Sequence, residues 1–205
     1  LDRDNQRESN CCFSRELLEE HYRLYPGAHE KKLKEIEARL LKADTTMANP
    51  TYCPLRSLKK EHTYALNSVK LHGYFFENIA EKQISQPSPE LISMLERCFG
   101  SVQEWEKQFT ALAMCSRGWV ILGFDLAEGV LRNYFTDNDS EGVWSVLPIL
   151  VLDVYEHAYC TAFPTRNAYV REFLKYVKWE SVNRRLNVAN EVYEKIIKMS
   201  KGVSA

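Results

Sequence analysis

The chain has 205 residues, of which 45% are apolar and 27% charged, with a formal net charge of -1. That suits one globular domain with a sizeable core, or two small lobes. The absence of a basic bias argues against nucleic acid as a partner, and no apolar stretch approaches the roughly 18 residues that cross a membrane.

Leu1 to Asn10 is polar and charged and does not read as a signal peptide. Ser14 is placed to cap a helix, with Glu16, Glu19 and Glu20 near its positive end. Leu17, His21, Leu24 and Ala28 recur at helical spacing, and Pro26-Gly27 predicts a kink or stop. A further helical piece from about His29 to Lys42 turns Leu33, Ile36 and Leu40 inward and its Lys and Glu residues to solvent. A linker, Asp44 to Pro54, leads to a second long helix from about Leu55 to Ala80, on which Val69, His72, Phe76 and Ile79 share a face. His21 and His72 thus sit among apolar neighbours on amphipathic helices, as satisfied core histidines or as ligands.

Gln83 to Glu90 breaks the pattern and divides residues 1–82, a helical hairpin, from residues 88–205, an α+β unit. Two helices are predicted next, from Ser88 to Cys98 and from Ser101 to Met114. Strands follow over Trp119 to Leu126, Val130 to Phe135 and Val146 to Leu152. Ala127-Glu128-Gly129 reads as a hairpin turn, Thr136 to Gly142 as a polar loop. Helices from about Asn167 to Tyr176 and Val182 to Met199 close the chain. The order predicts an α+β fold: a long N-terminal helical hairpin, then a three-stranded antiparallel sheet flanked by helices. Six cysteines (Cys11, Cys12, Cys53, Cys98, Cys115 and Cys160) form no C-x-x-C pair. They read as reduced thiols of a cytoplasmic protein.

The stretch with chemical content is Asp153-Val154-Tyr155-Glu156-His157-Ala158-Tyr159, directly after the most apolar strand. Acidic groups are seldom fully buried unless paired or bound to a metal. Asp153 and His157, four residues apart, are either a metal-binding pair suited to Zn, Mn or Fe or a hydrogen-bonded core pair.

This heptapeptide resembles the Asp-x-Trp-Glu-His-Ala-Tyr signature of the iron/manganese superoxide dismutases. The likeness runs from about Phe13 to Leu186 and includes Gly118-Trp119, Arg166 with Tyr169, and Trp179-Glu180-Ser181-Val182. The resemblance implies one Mn or Fe ion per subunit, held by His21, His72, Asp153 and His157. It implies disproportionation of superoxide to dioxygen and hydrogen peroxide as the metal cycles between trivalent and divalent states, with the potential tuned by groups around the site. It also implies a homodimer in which Glu156 reaches His157 of the partner subunit, with Tyr25 at the same interface.

Several positions depart from the family pattern. A Gln usually acts on the solvent at the metal. Iron-type members place it where this chain has Ser68, and manganese-type members place it in an Asn-Gln-Asp loop where this chain has Asp137-Asn138-Asp139. Asn138, one carbon shorter, is the expected substitute, and the small Ser68 favours the manganese-type arrangement. The gateway Tyr corresponds to His29, a proton relay if it points inward and otherwise a surface residue. Tyr155 replaces the signature Trp and joins His29 and Asn138 as a candidate catalytic residue. Ile121 and Cys160 replace an aromatic residue each. The alternative reading of these changes is a dismutase-fold protein that binds metal with little turnover and serves as a structural or interaction component.

Overall fold

Ser14 begins the first helix, α1 (Arg15–Leu24), by accepting the Leu17 N–H on its side chain at 3.2 Å. The computed structural model describes residues 13–80 and 85–202, so Cys11 and Cys12 lie outside the described residues. Pro26 stops α1 and opens α2 (Pro26–Leu40), because a ring without an N–H is tolerated only in a first helical turn. The restart therefore comes three residues earlier than His29, the start expected from the sequence. Tyr25 sits at the joint between the two helices. Cys53 and Pro54 start α3 (Pro54–Glu77), which packs along α2 to complete the hairpin.

α3 ends against the rest of the molecule. Asn78, fully buried, donates its side-chain amide to the Val151 carbonyl at 2.7 Å. The Lys178 N–H bonds the Asn78 carbonyl at 2.7 Å, and the Ala80 N–H bonds Tyr176 at 2.8 Å. Ser88, Ser101 and Thr165 each cap a helix with the side-chain oxygen, opening α4 (Pro89–Phe99), α5 (Val102–Cys115) and α6 (Arg166–Lys175). The last helix is α7 (Trp179–Gly202).

Three strands make one antiparallel sheet in the order β2-β1-β3: β1 (Trp119–Asp125), β2 (Val130–Thr136) and β3 (Val146–Asp153). The α+β class, the helical hairpin and the three antiparallel strands expected from the sequence are all present. β1 is buried on both faces apart from Asp125, which explains its continuous apolar run. Trp105, Phe109, Leu122, Phe124, Leu150 and Phe173 form the centre of the core between sheet and helices.

Pro148 lies inside β3 and has no N–H for the ladder. The register absorbs it: Leu122 faces Leu150 and Gly123 faces Pro148, so Ile149 is left over as a bulge. Gly123 is required opposite this bulge. A Cβ there would collide with Val146 and lie 2.9 Å from the Tyr134 ring. Gly123→Ala is expected to destabilise the fold by about 1–3 kcal/mol through overpacking. Urea unfolding should show a lower midpoint at unchanged slope, and an unchanged midpoint would mean that the strands part freely here.

Candidate metal centre

Four side chains from three regions of the chain meet at the end of β3. α1 contributes His21, α3 contributes His72, the last residue of β3 is Asp153, and a short 3-10 turn (Glu156–Ala158) carries His157. Nε2 of His157, His21 and His72 lies 3.1, 3.3 and 3.5 Å from the same Asp153 oxygen, Oδ2. One ligand atom from each of the four residues falls within 4.8 Å of all the others. His21, His72 and Asp153 are buried and His157 is partly so.

Nε2 of His157 is hydrogen-bonded to Asp153 Oδ2 at 3.1 Å, while two of the other ligand atoms are left for an ion. The His72 Nδ1–H donates to the Ser68 carbonyl at 2.8 Å, which fixes the tautomer and aims the Nε2 lone pair into the cluster. The buried Nε2 atoms of His21 and His72 have no hydrogen-bond partner. Orphaned nitrogens of this kind are costly unless something else binds them. Asp153 is oriented from two sides: its Oδ1 accepts the Tyr155 N–H at 2.9 Å, and its carbonyl accepts the Tyr169 hydroxyl at 2.7 Å. Tyr25, freed by the break between α1 and α2, stacks on His157 with ring centroids 3.6 Å apart. Three imidazoles and one carboxylate suit manganese, iron or zinc by donor type. The residues present therefore fit a resident metal ion.

Electrostatics point the same way. Burial alone would raise the Asp153 carboxyl, but the hydrogen bond from His157 and the close imidazoles of His21 and His72 outweigh it and hold the group below the usual carboxylate range. Burial also lowers His72 to about 4, against the attraction of Asp153, so the ring is neutral and ready to ligate at neutral pH. The sign of the linkage follows. An unfolded His72 takes up its proton below its ordinary value of 6.5, whereas the folded one resists until about 4. The stability of the metal-free protein should therefore be fully present above pH 6.5 and decline as pH falls toward 4, by about 3 kcal/mol from this group. Chemical denaturation of chelator-treated protein across that window checks this, and stability that is flat from pH 7 to pH 4 would contradict it.

Comparison with known proteins gives the site its family. Residues 87–185 match the iron/manganese superoxide dismutases, C-terminal domain. The chain is 31% identical over 187 residues, 89% of its length and 88% of the relative's, to the superoxide dismutase (Fe) of Aquifex aeolicus strain VF5. It is 31% identical over 181 residues, 86% of the chain and 90% of the relative, to the superoxide dismutase (Fe) of Cupriavidus metallidurans. A superoxide dismutase (Mn) 1 of Halobacterium salinarum is 35% identical over 126 residues, 60% of the chain and 63% of the relative.

The chain belongs to the iron/manganese superoxide dismutase family. Around the four candidate ligand residues, the positions at which it departs from the family pattern are distributed unevenly. His29 points inward: its Nδ1 is hydrogen-bonded to the Ser68 hydroxyl, which lies 3.3 Å from His72 Nδ1. Burial lowers the His29 pKa, with Asp139 acting in opposition. His29 and Tyr64 both line a cavity of about 510 Å³ between α2 and α3, with Lys32 and Arg39 on the same wall. Tyr155 stacks on His157 with centroids 5.3 Å apart, and its hydroxyl donates to Asp139 Oδ2 at 3.3 Å.

Asn138 is held by its own loop. Its amide donates to Glu141 at 2.8 Å, and its oxygen accepts the Ser140 N–H at 2.7 Å, an Asx turn that commits the side chain to its own loop. The residue that this turn drives inward is Asp139. Its Oδ1 accepts the Trp119 Nε1–H at 2.8 Å, and the Asn67 side chain holds its carbonyl at 2.7 Å. Gly118 allows the loop this close, since a Cβ there would lie 2.9 Å from the Thr136 carbonyl and 3.2 Å from the Tyr155 hydroxyl. Asp139 and Tyr64 were missed from sequence. The available signal was the Asn-x-Ser turn, which takes Asn138 out of use and leaves its neighbour to face the sheet.

Proposed function

We propose that this protein is a superoxide dismutase working as a cytoplasmic homodimer with one manganese or iron ion per subunit. The observation that carries the reading is the convergence of three imidazole Nε2 atoms, two of them buried without partners, on one oxygen of a fully buried aspartate. When bound, the metal supplies a one-electron couple through which two superoxide anions yield dioxygen and hydrogen peroxide.

The chain's own residues set the conditions for that chemistry. His21, His72, His157 and Asp153 hold the ion. The Ser68 carbonyl, the Tyr155 N–H and the Tyr169 hydroxyl fix the orientation of His72 and Asp153. The hydrogen bond between His29 and Ser68 runs from the cavity between α2 and α3 toward His72, and we assign to it the relay of protons needed for peroxide. Tyr155 stacks on His157. Asn138, bound to Glu141, is given no part.

The dimer is supported by Glu156, exposed next to His157 and without an ion pair among the described residues. Free thiols at Cys53, Cys98, Cys115 and Cys160 support the cytoplasmic reading. No helix of the described residues is long and apolar enough to cross a membrane.

The deciding experiment is superoxide turnover per bound metal, on protein reconstituted with manganese and with iron in turn. Rapid turnover with either metal establishes the enzyme and names its cofactor. A filled site with negligible turnover for both would favour a metal-binding dismutase-fold component instead.

A further inference from the structure

We infer that the Asp139 carboxylate, held by Trp119, Tyr155 and Tyr64, is a fixed negative counter-charge of the metal centre and biases the bound ion toward its higher oxidation state. The inference rests on the metal-centre reading above and deepens it.

Asp139 is only 2% exposed. Each donor it meets is neutral: the Trp119 indole N–H at 2.8 Å, the Tyr155 hydroxyl at 3.3 Å and the Tyr64 hydroxyl. Among the described residues no Lys or Arg forms an ion pair with Asp139 or with Asp153. Two carboxylates are thus buried in one region that offers three imidazoles and no fixed cation. Burial of unmatched charge is strongly unfavourable, so the pair is an arrangement that waits for a cation.

Two of the three anchors of Asp139 also touch a metal ligand. Trp119 stands edge-on to His72 with ring centroids 4.8 Å apart, and Tyr155 stacks on His157 at 5.3 Å. Asp139 is therefore one side chain removed from two of the four ligands. Among the described residues its carboxylate hydrogen bonds go to Trp119, Tyr155 and Tyr64 and to none of those four, so it acts on the centre by charge and position.

The sign of its effect follows from charge counting. With neutral imidazoles, Asp153 and Asp139 together carry -2, which balances a divalent ion and leaves a trivalent one at +1. A neutral side chain at position 139 would leave those two states at +1 and +2. In a low-dielectric region the second pair differs more steeply in energy. The anion thus stabilises the trivalent state more than the divalent one and lowers the midpoint potential of the one-electron couple. Burial and the Asp153 charge raise the Asp139 pKa while the Trp119 hydrogen bond opposes them. A bound cation adds a further influence in favour of the ionised form.

Asp139→Asn is the test, because the amide keeps the shape. Its oxygen can still accept from Trp119, and the tyrosine hydroxyls can rotate to accept from its nitrogen. Asp139→Glu keeps the charge while changing the length. Wild type and both variants are reconstituted with manganese and with iron, their metal content is quantified, and midpoint potentials are measured by mediated optical titration. The expected result is near-stoichiometric metal in all three. Asp139→Asn should shift the midpoint to a more positive potential with either metal, and Asp139→Glu should move it less. Coincident midpoints for wild type and Asp139→Asn, at equal metal content, would overturn the assignment and leave the metal centre intact. Equal shifts in the two variants would show that shape rather than charge matters, and would overturn it as well. Failure of the wild type to take up either metal would end both the assignment and the metal-centre reading. If Asp139→Asn fails to fold, an Asp139→Glu midpoint far above that of the wild type overturns the charge argument on its own.

Discussion

Asp153→Asn is expected to give a folded protein that cannot hold a stoichiometric metal ion. Asp153 is the one anionic member of the candidate ligand cluster, and its Oδ2 is the point on which the three Nε2 atoms converge at 3.1–3.5 Å. The asparagine oxygen can keep the Tyr155 N–H bond that Asp153 Oδ1 accepts at 2.9 Å. Its NH2 then takes the place of Oδ2 and donates toward imidazole nitrogens that would otherwise hold the ion. The substitution removes a formal charge, removes a ligand and supplies the orphaned nitrogens of His21 and His72 with a donor. Each of these changes favours the empty site. Metal retained after dialysis should fall by more than tenfold, since loss of groups merely adjacent to a ligand already costs about 10–100-fold in affinity. Thermal unfolding should cease to respond to added manganese or iron, because a ligand stabilises only the state that binds it. Elemental analysis and a melting series with and without metal would check both. Wild-type metal content in the variant would remove Asp153 from the ligand set, and His157→Ala would then be the next substitution to examine.

How much of this was legible in the sequence depended on distance along the chain. The helix starts at Ser14, Ser88 and Ser101 could be read because a cap and its N–H lie three residues apart. The strand Val146–Asp153 could be read from its apolar run. Asp153 and His157 announced themselves as a pair by the burial that such a run implies. His21 and His72 were different. Nothing local distinguishes them from core histidines, and their part in the site came from resemblance to a family. Asp139 was missed because its orientation is set by a turn that Asn138 makes with Ser140 and by contacts with Trp119 and Asn67, the latter 72 residues away in sequence. Matching the loop position by position puts the expected role on Asn138, whereas the turn directs Asp139 toward the sheet. The bulge at Ile149 was also hidden. Pro148 signalled trouble within the strand, but only the register against Gly123 shows how it is absorbed.

That bulge leads to the second large effect. Arg185→Ala is expected to destabilise the fold by about 3 kcal/mol. Pro148 and the register slip deprive β3 of regular ladder bonds, and a buried carbonyl without a partner is costly. Arg185, reaching in from α7, donates from Nη1 to the Ile149 carbonyl at 3.0 Å and also bonds Asn78 Oδ1. Its Nη2 donates to the Glu77 carboxylate at 2.7 Å, and the guanidinium stacks over the Tyr74 ring at 4.9 Å. The side chain is only 9% exposed. One planar group therefore ties the bulge of β3, the end of α3 and α7 together, and Asn78 completes the link by donating to Val151. Truncation would leave the Ile149 carbonyl and Asn78 Oδ1 buried without their donor, which is the source of the expected loss. Glu77, at 57% exposed, should matter far less, and Glu77→Ala is expected to change stability by under about 1 kcal/mol. The contrast is the test: urea unfolding of the two single variants, with metal content measured alongside. Because Asp153 lies only four residues beyond Ile149 on the same strand, Arg185→Ala should also release metal faster than Glu77→Ala does. Equal and small effects of both substitutions would show that the clamp is a surface ion pair, and that β3 holds its bulge, and with it the position of Asp153, without help from α7.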